Sequence, residues 1–184
     1  MSAILFTGAC RSGKSAMAQA WCERHGGQRL YIATACINDA EMAARATAHQ
    51  AARGEGWHTL ELTGDNAAGL PDLLTHIEAH LPTVSDDDSL LLDCTTLWLA
   101  GLMEHMNDAA ILERVDALAL ALCRIPRPIA IVHNETGWGL VPEYPMGRRF
   151  RDLSGTAGQR LAAVCDAVVL AVCGLPLVLK GTLE

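Results

Sequence analysis

The chain has 184 residues, 51% of them hydrophobic and 19% charged, which is the composition of a folded domain with its own core and excludes a disordered chain. Lys plus Arg is 14 against 21 Asp plus Glu, a formal net charge of −7, and aromatics are only 4%. A sequence-independent nucleic-acid binder needs a basic surface and a single-strand binder needs stacking rings, so neither class fits.

Helical and strand patterns alternate along the chain, with no internal repeat. The apolar run 3–7 ends at a glycine and predicts a buried strand. An Ala-rich helix over 15–25 is stopped by a Gly pair, and a strand follows over 29–33. A helix is expected over 39–53, capped by Asn38 or Asp39. Weak alternation over 57–62 suggests a strand, and 71–81 reads as a helix with Pro at its start. The acidic run 86–88 is a solvated turn. Leu90, Leu91 and Leu92 form an apolar strand that ends on Asp93. Helices over 95–106 and 109–124 flank Asn107 and Asp108, and a strand over 128–133 leads into a Gly- and Pro-rich loop over 134–146. A helix over 148–164 and strands over 167–172 and 177–180 complete the pattern. The expected fold is α/β: a single domain over 1–184, its sheet mainly parallel with helices on both faces, and with G-x-x-x-x-G-K-[ST] at 8–15 between the first strand and the first helix it is P-loop NTPase-like.

Seven Cys without a C-x-x-C spacing predict buried free thiols and a cytoplasmic protein. The run 167–179, broken by Gly174 and Pro176, is too short for a membrane span. The small-small-Cys triplet at 8–10 lacks the basic segment and apolar length of a leader.

Gly8-Ala9-Cys10-Arg11-Ser12-Gly13-Lys14-Ser15 fits G-x-x-x-x-G-K-[ST] at every position. Its glycines let the backbone wrap phosphates, successive N–H groups and the helix start face the anion, Lys14 places a point charge on the β- and γ-phosphates, and Ser15 offers an oxygen to Mg²⁺. Position between an apolar strand and an Ala-rich helix argues against a chance match. Asp93, at the end of its apolar strand, is the natural second group for Mg²⁺; the alternative is a strand-ending cap. No N-K-x-D occurs, and the D-x-x-G at 152–155 falls in a helical segment, so a guanine-switch protein is disfavoured.

His76 and His80 stand four apart with Glu78 between them, which is not H-E-x-x-H, and reads as a solvated helix face. Arg45, His49 and Arg53 recur every four residues, one turn apart. That spacing suits an exposed amphipathic face, and equally a nucleophilic imidazole flanked by phosphate-binding cations.

Several segments occur together, in order: the 8–15 loop, Tyr31-Ile32-Ala33-Thr34, Glu41-Met42-Ala43-x-Arg45-x-x-x-His49-x-x-x-Arg53, Trp57-x-Thr59-x-Glu61 and Leu91-Leu92-Asp93-Cys94. Asn134-Glu135-x-Gly137-x-Gly139-Leu140-Val141-Pro142 and Arg149-Phe150-Arg151-Asp152-x-x-Gly155-x-x-x-Gln159-x-Leu161-Ala162 follow. Over nearly its whole length the sequence resembles the bifunctional adenosylcobinamide kinase / adenosylcobinamide-phosphate guanylyltransferase family of cobalamin biosynthesis. The resemblance implies that His49 attacks the α-phosphate of GTP and carries GMP as a phosphoramidate, with Lys14 as the other catalytic residue. It implies nucleotide contacts from Gly8, Ala9, Cys10, Arg11, Ser12, Gly13, Lys14 and Ser15, from Thr34, Ala35 and Cys36, from Gln50, Ala51, Ala52 and Arg53, and from Glu61 and Asp93. Ser15 and Asp93 would hold Mg²⁺. The implied substrates are GTP, ATP or both, with adenosylcobinamide and its phosphate, and the implied assembly is a homo-oligomer, a trimer.

The sequence departs from the family pattern at Ala9, often a second glycine, at Asp93, often Glu, at Thr136, usually Val, and at Gly158, often Asn. A glycine inside a helix costs about 1 kcal/mol of propensity, so a break near 158 is an expectation. The motifs by themselves leave open a plain small-molecule kinase with an inert His49, or a nucleotide-binding regulatory module.

Overall fold

Seven strands join in one sheet in the order β3-β2-β4-β5-β1-β6-β7 in the computed structural model, which describes residues 3–25, 27–34, 40–61, 77 and 88–183. The strands are β1 (Ala3–Gly8), β2 (Arg29–Ala33), β3 (Trp57–Glu61), β4 (Ser89–Asp93), β5 (Ile129–Asn134), β6 (Ala167–Val172) and β7 (Leu175–Lys180). All pairings are parallel except β6 with β7. The helices are α1 (Lys14–Arg24), α2 (Ala40–Ala52), α3 (Thr95–Leu102), α4 (Asp108–Leu122) and α5 (Pro145–Val164). The α/β architecture is the one expected. The predicted cap at 38–39, the helix over 71–81 apart from Ile77, with His76 and His80, and residues 86 and 87 lie outside the described residues; Asp88, expected in a solvated turn, is instead buried and accepts the Gln28 N–H at 2.8 Å.

The central strands are apolar throughout because both their faces are covered. Successive side chains take opposite faces. Leu5, Leu30, Ile32, Leu90, Leu92, Ile129 and Ile131 pack with α3, α4 and α5, through residues such as Trp98, Leu118 and Leu161. Ile4, Phe6, Tyr31, Leu91, Ala130 and Val132 pack with α1, through Ala18, Trp21 and Cys22. Each fully buried Leu, Ile or Phe contributes about 1.5–3 kcal/mol, so these two layers fix the register of every parallel strand.

The register aligns the C-terminal ends of the inner strands. Gly8 of β1 stands opposite Asn134 of β5, and Ala33 of β2 opposite Asp93 of β4. Ligands of open parallel sheets bind beyond this edge, where the order of strands reverses.

The helix predicted over 95–106 ends at Leu102, because the Arg149 guanidinium takes the carbonyls of Met103 (3.2 Å) and Met106 (2.7 Å). α5 begins at Pro145 rather than 148, the fixed φ of proline suiting the first helical turn. That shortens the expected loop. The helix runs unbroken through Gly158, correcting the expected break. A Cβ there would lie 3.1 Å from Nε2 of His133, so the glycine allows β5 and α5 to approach closely. The D-x-x-G tetrad is interior to α5, as expected.

Cysteine burial is only partly as expected. Cys22, Cys94 and Cys165 are buried, and desolvation pushes their thiols up to about 12, about 11 and about 12 respectively. Cys10, Cys123 and Cys173 are exposed, since they fall in the phosphate loop, after α4 and in the β6–β7 turn. Cys36 lies outside the described residues.

Candidate active site

The segment between β1 and α1 folds as the loop its sequence implies. Gly8 has φ 150° and Gly13 φ 97°, and a Cβ on Gly8 would sit 2.6 Å from the Ala171 carbonyl. Both positions therefore require glycine. Arg11 also has positive φ, at 56°. Ser12 N–H closes the turn on Ala9 O (3.2 Å), and Gly174 N–H from the β6–β7 turn donates to Ser12 O (2.9 Å), bracing the loop from outside. That turn has φ of 52° at Cys173 and 78° at Gly174, as a tight two-residue hairpin demands.

Lys14 is buried, and its ammonium donates to Ala9 O at 3.0 Å. Ser12 Oγ is buried with no hydrogen-bond partner among the described residues. A buried cation beside an unsatisfied hydroxyl at a helix start is a cradle suited to a polyphosphate.

Asp93 extends from β4 toward this loop. It is half-buried by solvent exposure, yet protein packs closely around its carboxylate. Desolvation raises its pKa. The Ser15 hydroxyl hydrogen bond, the neighbouring His49, the Tyr31 hydroxyl and the Lys14 ammonium oppose that shift, in descending order. Tyr31 is itself pushed upward by burial and by Asp93, so its phenol stays protonated and donates to the carboxylate. Thr34 locks the strand end: its hydroxyl donates to Cys94 O (2.6 Å) and accepts from Cys94 N–H (2.8 Å). Asp93 and Ser15 together present hard oxygen donors of the kind Mg²⁺ takes, so the residues fit that ion.

α2 closes the site from the other side. Met42, Ala46, His49 and Gln50, with Arg53 just past its end, line the same cavity as the phosphate loop, and their spacing is one helical face. The Arg53 guanidinium stacks on the Tyr31 ring, 3.7 Å from its centre, and donates to Thr59 Oγ1 at 3.3 Å. A cation–π contact of this kind contributes about 0.5–2 kcal/mol and ties α2 to β2 and β3.

The cavity holds ≈ 870 Å³, enough for a nucleotide. Of the residues expected at a nucleotide site, Cys10, Arg11, Ser12, Gly13, Lys14, Ser15, Gln50, Arg53 and Asp93 line it, together with His49. Gly8, Ala9, Thr34 and Ala51 are not on its wall. Ala35 and Cys36, and the side chains of Arg45, Ala52 and Glu61, lie outside the described residues.

The cavity also has a wall that sequence reasoning did not assign to the site, made by Thr96, Asn134, Glu135 and Phe150. The signal for Asn134 and Glu135 was present: polar residues directly after an apolar strand, as at Asp93. Of the neighbouring arginines, Arg149 is a clamp rather than a ligand group, bonding Asp108 Oδ1 at 2.6 Å as well as the two carbonyls after α3.

Residues 4–179 match the family described as cobinamide kinase / cobinamide phosphate guanyltransferase. The chain is 38% identical to the bifunctional adenosylcobalamin biosynthesis protein CobU of Salmonella typhimurium, the match covering 96% of this chain and 99% of that one. It is 37% identical to the bifunctional adenosylcobalamin biosynthesis protein CobP of Pseudomonas aeruginosa, covering 96% of each. Among solved structures, one from a structural study of a Pyrococcus horikoshii OT3 protein superposes with a TM-score of 0.61 at 8% identity, covering 98% of this chain and 86% of that chain. That likeness concerns the fold alone.

Proposed function

The chain belongs to the cobinamide kinase / cobinamide phosphate guanyltransferase family, and on that premise we propose that this transferase performs both reactions in a single domain. ATP or GTP phosphorylates the aminopropanol hydroxyl of adenosylcobinamide. GMP from GTP then passes through a histidine–GMP intermediate to that phosphate, giving adenosylcobinamide-GDP for adenosylcobalamin biosynthesis. The observation that carries this reading is that one cavity brings together Lys14 of the phosphate loop and His49 of α2.

In the first reaction the phosphate loop binds the triphosphate through its N–H groups, and the Lys14 ammonium leaves Ala9 O to neutralise charge on the transferring phosphoryl group. In the second, an imidazole nitrogen of His49 attacks the α-phosphorus and the bond to pyrophosphate breaks. An oxygen of the cobinamide phosphate then displaces the imidazole. Arg53 lies on the cavity wall where it can offset phosphoryl charge. Ser15 and Asp93 would hold Mg²⁺, which supplies charge neutralisation when bound. Thr34 contributes by fixing the backbone next to Asp93. Gln50, Ala52 and Glu61, with Ala35 and Cys36, complete the nucleotide contacts in this reading, while Ala51 stands off the cavity wall. Incubation with adenosylcobinamide, ATP and GTP should yield the phosphate and then the GDP derivative by mass spectrometry. The phosphate as sole product would make the chain a plain kinase.

Asp93→Asn tests the metal role. Loss of an outer-shell carboxylate that holds a metal-bound water costs about 10–100-fold in metal affinity or activity. Turnover titrated against Mg²⁺ should fall by that amount, while triphosphate affinity in the presence of a chelator stays unchanged. Equal losses with and without metal would make Asp93 a structural cap.

The protein is proposed to act in the cytoplasm, where its buried, unbridged thiols persist; among the described residues no helix is long and apolar enough to cross a membrane. It is further proposed to be a homo-oligomer, a trimer. β7 supports an assembly: it is an edge strand whose Leu175, Leu177, Val178 and Leu179 are 69%, 53%, 41% and 57% exposed. Light scattering on the Leu177→Lys/Leu179→Lys variant should report a smaller mass than the parent protein. A parent that is already monomeric would contradict the assembly.

A further inference from the structure

We propose that Glu135 is the general base of the phosphoryl-transfer step, an assignment that rests on the kinase reading above. The cavity wall carries two carboxylates among the described residues, Asp93 and Glu135. Asp93 is engaged by the Ser15 and Tyr31 hydroxyls. Glu135 is placed differently. It follows β5, the strand lying between β1, which bears the phosphate loop, and β4, which bears Asp93. Its backbone N–H donates to Gly8 O at 3.0 Å, fixing it to the first residue of the loop.

One carboxylate oxygen, Oε1, accepts the Thr7 hydroxyl at 2.8 Å. Thr7 is buried in β1, so this bond aims the carboxylate. The second oxygen has no hydrogen-bond partner among the described residues, and the side chain is half-exposed on the cavity wall. An oriented carboxylate with one free oxygen beside the phosphate cradle is what an attacking alcohol requires.

The step balances. The hydroxyl oxygen of the substrate forms a bond to the γ-phosphorus. The bond from that phosphorus to the β,γ-bridging oxygen breaks, leaving its electron pair on the nucleoside diphosphate. The hydroxyl proton passes to Glu135 Oε2 and later to water. GMP transfer deprotonates no alcohol, so Glu135 has no part in it.

Glu135→Gln keeps the size of the side chain and an oxygen for the Thr7 hydroxyl. Phosphorylation of adenosylcobinamide by this variant should lose about 10²–10⁴-fold in kcat. Substrate KM and triphosphate affinity should change by less than about threefold. GMP transfer from GTP to preformed adenosylcobinamide phosphate should persist, which also reports an intact fold. A kcat within about threefold of wild type, or a loss residing in KM or affinity, overturns the assignment. Loss of both reactions together also overturns it, by making Glu135 structural. Wild type assayed in parallel separates the two claims: if wild type does not phosphorylate adenosylcobinamide, the functional reading falls and the assignment with it.

Discussion

Lys14→Ala is expected to abolish phosphorylation of adenosylcobinamide and to weaken triphosphate binding strongly. The ammonium is buried, at 6% exposure, and among the described residues it donates to a single carbonyl of its own loop. A cation held in a site of low dielectric acts on a phosphoryl group with far more effect than one in water. Loss of one such preorganised donor costs about 10²–10³-fold in turnover, and loss of a full charge costs more. The variant should still fold, because the desolvation cost of the buried ammonium is removed together with its favourable interactions with Ala9 O and Asp93. An unchanged or higher thermal midpoint beside lost turnover and weakened binding by calorimetry would separate chemistry from unfolding. Survival of both affinity and turnover would mean that this loop is not the phosphate cradle.

His49→Ala is expected to split the two reactions. The imidazole is on an exposed part of α2, and Ala is the best helix former, so the helix should persist. Phosphoryl transfer to an alcohol needs the cradle and a base, not a protein nucleophile. In the proposed mechanism guanylylation needs the imidazole, since without it no covalent carrier forms. GMP transfer to adenosylcobinamide phosphate should fall below detection, while phosphorylation stays within about tenfold of wild type. Equal loss of both would give His49 a general structural part in the cavity.

Elements with strong local signals were legible in the sequence. β2 and β6 have the expected bounds, because apolar runs framed by polar or turn residues carry their own period. The phosphate loop was legible because its chemistry is written in consecutive residues. Asp93 was legible as the acid ending an apolar strand, and the same sign went unread at Glu135. What depended on distant contacts was not legible. The end of α3 is set by Arg149, more than forty positions away in the chain. Gly158 looked like a helix breaker when read along the chain, but it faces His133 across the α5–β5 contact. The face bearing His49 and Arg53 reads as solvated until α2 is set against the sheet edge, where Arg53 meets Tyr31 and His49 shares a cavity with Asp93. The spacing established the face; only the fold determines what it lies against.

The most direct test of a histidine-borne nucleotide is transfer of label from α-³²P GTP to the protein. Wild type with GTP and Mg²⁺ should acquire label that is acid-labile and base-stable, as a phosphoramidate is, and should release it when adenosylcobinamide phosphate is added. The His49→Ala protein should acquire none. Label on the His49→Ala protein would place the nucleophile elsewhere, and an unlabelled wild type that still phosphorylates adenosylcobinamide would contradict the covalent carrier altogether.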